Sequence, residues 1–126
     1  MTVAQIMKTK LISAQPDTPL SDIAGLLIEH RITGLPVVDG EHRIVGVITE
    51  MDLIGTLGEP AGAHTVASDV MTSNPITLPS DAPLHAAFDC LMTHTFRRVL
   101  IQDQGRLVGL ISRTDLLPVI LERFRT

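Results

Sequence analysis

The sequence has no tryptophan and no tyrosine, and phenylalanine occurs only at Phe88, Phe96 and Phe124. Single-stranded nucleic acid favours aromatic stacking platforms, and these residues offer none. Excess positive charge is missing too. Ten Lys and Arg stand against fourteen Asp and Glu, whereas a general nucleic-acid binder is normally basic. The imbalance lies in residues 1–63, with four basic and eight acidic side chains; residues 64–126 hold six of each. A single cysteine, Cys90, rules out an intramolecular disulfide and removes any need for an oxidising compartment. No apolar run nears the roughly 18 residues of a membrane span, and Met1-Thr2-Val3-Ala4-Gln5 lacks the pattern of a secretory leader. The expectation is a cytoplasmic protein without membrane or nucleic-acid partners. Neither Gly-x-x-x-x-Gly-Lys nor Gly-x-Gly-x-x-Gly occurs, so no nucleotide-hydrolysing loop is suggested. What is present is apolar material: 44% hydrophobic residues in a chain of 126, enough for a compact core.

That material is written twice. A shift of 64 pairs Met7 with Met71, Ile12 with Ile76, Asp17 with Asp81, Pro19 with Pro83, Leu27 with Leu91, His30 with His94 and Asp39 with Asp103. After the turn the shift becomes 63, and Arg43, Val45, Gly46, Ile48, Asp52 and Leu53 meet Arg106, Val108, Gly109, Ile111, Asp115 and Leu116. Two long copies favour closure on each other over an open array, with pseudo-two-fold symmetry. The first copy takes residues 1–57, the second 66–126. Residues 58–65, rich in helix breakers, form the linker.

Period and punctuation give each copy a β-α-β-β-α order. Ile12-Ser13 reads as a short strand. Pro19 then opens a helix whose apolar residues Leu20, Ile23, Ala24, Leu27 and Ile28 form one buried stripe. Strands over 35–38 and 44–49 are joined by Asp39-Gly40-Glu41-His42, which carries the Asp-Gly signal of a tight antiparallel turn. A second helix covers 51–57. The second copy repeats this with a strand over 76–78, a helix bearing Leu84, Ala87, Phe88, Leu91 and Met92, strands over 99–101 and 107–111, and a closing helix. That last stretch, 116–125, stops without a capping glycine, which leaves room for a partner domain beyond these residues.

The phrases Gly46-Val-Ile-Thr-Glu-Met-Asp52 and Gly109-Leu-Ile-Ser-Arg-Thr-Asp115 put a hydroxyl and a carboxylate three residues apart where a strand gives way to a helix. Thr49 or Ser112 can act there as N-cap, and outward-facing backbone N–H groups suit a phosphate. The Asp has two acceptor oxygens for the vicinal hydroxyls of a ribose. The plainer alternative is favourable pairing with the helix dipole, worth roughly 0.3–1 kcal/mol. Duplication at matching positions favours a ligand.

With these phrases stand two leaders of the form Val/Ala-x-x-Ile/Val-Met, ending at Met7 and Met71. Ile-Thr-Gly-Leu-Pro-Val-Val-Asp at 32–39 has its counterpart in Phe-Arg-Arg-Val-Leu-Ile-Gln-Asp at 96–103. In this order and in duplicate, the chain resembles a tandem pair of cystathionine β-synthase (CBS) domains, a Bateman module. The resemblance implies an α/β (α+β) fold of two repeats packed through their sheets, with adenosine-containing ligands in the clefts between them. It further implies that Asp52 and Asp115 hold ribose hydroxyls and that Thr49 and Ser112 contact ribose or phosphate. Ile12, Ser13, Ile76 and Thr77 would line the adenine, and Arg97 and Arg98 would be the phosphate candidates. A guanidinium grips phosphate through paired hydrogen bonds, although adjacent arginines can equally be solvated or paired with acidic neighbours.

The copies are not identical. Thr33 and Gly34 stand where the second has Arg97 and Arg98, and Pro36 where it has Leu100, so the clefts are expected to be unequal. No histidine pair has the i, i+4 spacing of a helical metal site, and Cys90, beside the apolar stripe of its helix, reads as an inert thiol. No base accompanies either aspartate at a telling spacing, so catalysis is not expected. Leu53, Ile54 and Leu57, with Leu116, Leu117, Val119, Ile120, Leu121 and Phe124, exceed what a small core covers; a homodimer through the terminal helices is expected. The expected function is a non-catalytic regulatory module. Its regulatory ligand would be AMP, ADP, ATP, NAD or S-adenosylmethionine, it would require no cofactor, and it would act on an effector domain or protein. The alternatives are a ligand-free assembly module and an enzyme using Asp52 or Asp115 as general base.

Overall fold

The computed structural model describes residues 1–93 and 98–125. The chain divides into two compact units. The central unit is Ile12–Pro75; the terminal unit joins Met1–Leu11 to Ile76–Thr126. Compact unit and sequence repeat are therefore offset, because each leader folds with the body of the other copy.

In the central unit, α1 (Leu20–His30) precedes β1 (Gly34–Val38) and β2 (Ile44–Thr49), an antiparallel pair, followed by α2 (Glu50–Gly55) with a 3-10 turn at Thr56–Gly58. The second leader supplies α3 (Ala67–Val70) and β3 (Thr72–Ser73), and β3 pairs antiparallel with β2. The terminal unit contains a 3-10 turn at Val3–Gln5, β4 (Thr77–Pro79), α4 (Leu84–Thr93), β5 (Arg98–Asp103) and β6 (Arg106–Ser112). A 3-10 turn at Arg113–Leu116 then leads into α5 (Leu117–Phe124). Here β4 pairs parallel with β5, and β5 antiparallel with β6.

The two cores match position by position. Ile23, Leu27, Leu35, Val37, Ile48 and Ala67 in the central unit correspond to Ala87, Leu91, Val99, Ile101, Ile111 and Val3 in the terminal one. The last pair comes from the leaders. Each helix buries a narrower stripe than its apolar pattern predicts: Ile23 and Leu27 are buried in α1, Ala87 and Leu91 in α4. Ile28, Phe88 and Met92 are exposed, since a step of one residue turns a side chain about 100° away from the i, i+4 stripe.

The predicted strand at Ile12-Ser13 is reduced to a single bridge between Ala14 and Val37. Ala14 donates to Pro36 O at 3.0 Å and accepts from Val38 N–H at 2.8 Å. The next rung of this parallel ladder needs an N–H from residue 36, and proline has none. Leu100 stands at the matching position of β5, and β4 forms beside it. The hairpins differ too. Gln104 and Gly105 both adopt positive φ between the paired Asp103 and Arg106, as a two-residue type I′ turn requires. In the other hairpin the left-handed residue is His42 rather than Gly40. The Asp39 carboxylate there accepts the N–H groups of Glu41 and Arg43, each at 2.9 Å.

Both leaders are seated by a methionine lying on a glycine. A β-carbon on Gly46 would stand 2.7 Å from Met71 Sδ and 3.0 Å from Thr72 O. One on Gly109 would collide with Met7 Sδ and come within 2.7 Å of Met7 Cγ. The leaders also have polar anchors: Thr2 N–H donates to Gln5 Oε1 at 2.8 Å, and Asp69 Oδ2 accepts from Thr65 N–H at 2.9 Å and Val66 N–H at 3.0 Å. Those two backbone bonds, Thr65 first, hold the Asp69 carboxyl below the usual aspartate range.

Gly109→Ala and Gly46→Ala should each lower unfolding free energy by about 1–3 kcal/mol through overpacking. Gly40→Ala, whose added carbon meets nothing within 4 Å, should leave it unchanged in the same denaturant titration. For Asp69, the depressed folded-state pKa gives a stabilisation that is present above the unfolded-state value of about 3.9 and lost as pH falls through the lower folded value. Carboxyl-detected NMR should find Asp69 titrating below about 3.9 in the folded chain, and Asp69→Asn should flatten the acid limb of stability against pH.

Candidate functional site

The register of each sheet gathers the sequence-predicted residues. In the terminal unit Arg98 pairs with Ser112, Leu100 with Leu110, and Thr77 with Leu100. Directly opposed residues share a sheet face, so Thr77, Arg98 and Ser112 lie on one face, with Val99, Ile101 and Ile111 on the core face. The central unit repeats this with Gly34 opposite Thr49 and Pro36 opposite Val47. Ser13 precedes the bridging Ala14. Ile12 packs against the core of the central unit, whereas Ile76 is exposed. Arg98 is half-buried. Arg97 lies outside the described residues.

At the end of each sheet the aspartate folds back onto the strand. Asp52 Oδ2 accepts from Thr49 N–H at 2.8 Å and Thr49 Oγ1 at 3.2 Å. Asp115 Oδ2 accepts from Ser112 N–H at 2.7 Å and Ser112 Oγ at 3.0 Å, and Ser112 Oγ lies 3.1 Å from Thr114 Oγ1. Thr49 and Ser112 are thus the residues preceding the helical turns, as their spacing predicts. The carboxylate supplies the cap, accepting their backbone N–H groups. One oxygen of each aspartate is fixed in this way, which orients the other.

The other oxygens differ. Asp115 Oδ1 is 3.3 Å from Lys8 Nζ, with the aspartate side chain 11% and the lysine 56% exposed. Asp52 Oδ1 has no partner among the described residues. Lys8 escaped the sequence reading because its contact depends on the leader crossing to the second copy's sheet. The available signal was its position directly after Met7, where the second leader has Thr72. Among the described residues no cluster of His, Cys, Asp or Glu could hold a metal ion, and no helix is long and apolar enough to cross a membrane. Cys90 is half-buried against the terminal core.

Each of the two sheets ends in a hydroxyl–aspartate pair, and the family model for the CBS domain matches this chain twice, over residues 3–59 and 67–122. The chain belongs to the CBS-domain family. Solved CBS proteins resemble it over nearly their full length. The crystal structure of CBSX2 in complex with AMP superposes with a TM-score of 0.90 at 30% identity, covering 98% of both chains. The CBS domain pair of protein MJ0100, in complex with 5′-methylthioadenosine and S-adenosyl-L-methionine, gives 0.84 at 27% identity and the same coverage. An inosine-5′-monophosphate dehydrogenase of Bifidobacterium longum is 35% identical over 86% of this chain. Among curated relatives the chain spans from 20% of that enzyme to 82% of the CBS domain-containing protein YhcV of Bacillus subtilis.

Proposed function

We propose that this CBS pair is a non-catalytic regulatory module that binds an adenosine nucleotide, with Asp52 and Asp115 taking the ribose hydroxyls. Thr49 and Ser112 stand beside the sugar and Arg98 beside the phosphate. The observation that carries the reading is the duplicated carboxylate, pinned through Oδ2 in both units, with Oδ1 beside Lys8 in the terminal unit and without a partner among the described residues in the central one. Relatives of the same fold crystallised with AMP, 5′-methylthioadenosine and S-adenosyl-L-methionine support the ligand class. AMP, ADP, ATP, NAD and S-adenosylmethionine share the ribose diol and differ in the group carried at the 5′ carbon of the sugar.

Catalysis is not part of this reading. Around Asp52 and Asp115 the hydrogen bonds come from hydroxyls and backbone N–H groups, and the ion pair from a lysine; neither has a histidine or a second carboxylate bonded to it among the described residues. The matched stretch is 20% of the dehydrogenase relative, so that enzyme's chemistry belongs to that protein. Regulation requires the ligand to favour one of two states of the module or of an effector domain. Residues 1–57 and 66–126 act as the two repeats, 58–65 as their linker, and a reduced thiol at Cys90 suits a cytoplasmic setting. Exposed apolar side chains on the helices after each sheet, Ile54 and Leu57 in one copy and Leu117, Ile120, Leu121 and Phe124 in the other, support a homodimer through these helices.

Mass spectrometry of small molecules released from natively isolated protein, followed by calorimetry, tests the reading. An adenosine nucleotide should copurify, and at about 100 times its Kd it should add about 2.7 kcal/mol to stability. Asp115→Ala should weaken binding more than Asp52→Ala, because Lys8 and Arg98 bring positive charge to the terminal unit's sheet where the central unit has Thr72 and Gly34. If none of the five ligands shifts the melting curve, the module is an assembly device in which the aspartates only cap helical turns.

A further inference from the structure

The ion pair between Lys8 and Asp115 stands out because its counterpart in the central unit is absent. Lys8 is held by its backbone, with N–H and O both bonded to Leu110 at 2.9 and 3.0 Å, while more than half of its side chain stays in solvent. Thr72 occupies the matching place beside β2, and it is short and uncharged. The neighbouring position differs in the same sense: Arg98 is opposite Ser112, where Gly34 is opposite Thr49.

The consequence for a ligand is a competition. Oδ2 of Asp115 already accepts two bonds from Ser112, so a ribose diol engages Oδ1, where it competes with Lys8 Nζ. A neutral nucleoside leaves that ammonium without its carboxylate. A ligand that carries an anionic group next to the sugar offers it a replacement, and a half-exposed lysine exchanges partners at little cost. Specificity is a difference between affinities, and one side chain here raises one while lowering the other.

We propose that Lys8 is a specificity-determining residue of the terminal unit, making this site select phosphorylated adenosine ligands over neutral ones by moving from Asp115 to the phosphate. The central unit, with Thr72 and Gly34, lacks that selection. The inference rests on the reading in which Asp115 holds the ribose, and it adds a residue supplied by the leader of the other repeat.

The test is isothermal titration of the full chain with AMP and with adenosine, in an Asp52→Ala background that leaves only the terminal site to be read. Lys8→Gln should weaken AMP by about tenfold while adenosine binds equally or more tightly, and Lys8→Arg should keep the preference for AMP. An AMP-to-adenosine affinity ratio unchanged by Lys8→Gln overturns the role of Lys8 while the ribose site stands; so does an equal loss for both ligands. If the chain with Lys8 intact binds neither compound, the ribose site itself fails, and the inference with it.

Discussion

Everything at the site depends on how closely each leader can approach the sheet beneath it. Met7 covers Gly109 and Met71 covers Gly46 so tightly that a single methyl group would displace them. Each glycine begins the phrase that ends in a hydroxyl and an aspartate, so the packing that seats the leader also aligns the strand whose end bears the site. Through this contact each leader is seated on the sheet of the other copy. It is also why the two halves of the sequence do not coincide with the two compact units.

The same exchange makes the two sites chemically unequal although the folds are closely alike in register. Oδ2 of both aspartates is occupied by the strand end in the same manner. What differs is brought by residues one step away: a lysine from one leader against a threonine from the other, and Arg98 at the start of β5 against Gly34 at the start of β1. In the proposed function this gives one chain a charge-selective site and a more permissive one. A module with two such sites can respond to the phosphorylation state of the adenosine pool as well as to its size. That response needs only ordinary electrostatics and no catalytic group.

Much of the fold, and the position of each hydroxyl–aspartate pair, was legible in the sequence because the repeat supplies its own control. Pairs such as Asp52 with Asp115 and Gly46 with Gly109 mark positions that a single copy would leave ambiguous, and the helix and hairpin periods place them. Three features were not legible, each for a physical reason. The short strand at Ile12-Ser13 fails because Pro36 lacks the N–H for its second rung, a partner 24 residues away from Ile12. The apolar stripes of α1 and α4 overstate burial because Ile28, Phe88 and Met92 satisfy the helical period without reaching the core. Lys8 was missed because local spacing says nothing of a leader that pairs with β6, about a hundred residues along the chain.

In the proposed function an adenosine nucleotide is held at the sheet end formed by Thr77, Ser112 and Asp115. Amide-detected NMR of the uniformly labelled chain, recorded as AMP is added, tests it most directly. Saturable shifts concentrated at Thr77, Ser112–Asp115 and Lys8 are expected, with weaker changes at Thr49–Asp52. Shifts confined to the exposed helix faces of α4 and α5, or none at all at millimolar AMP, would contradict it.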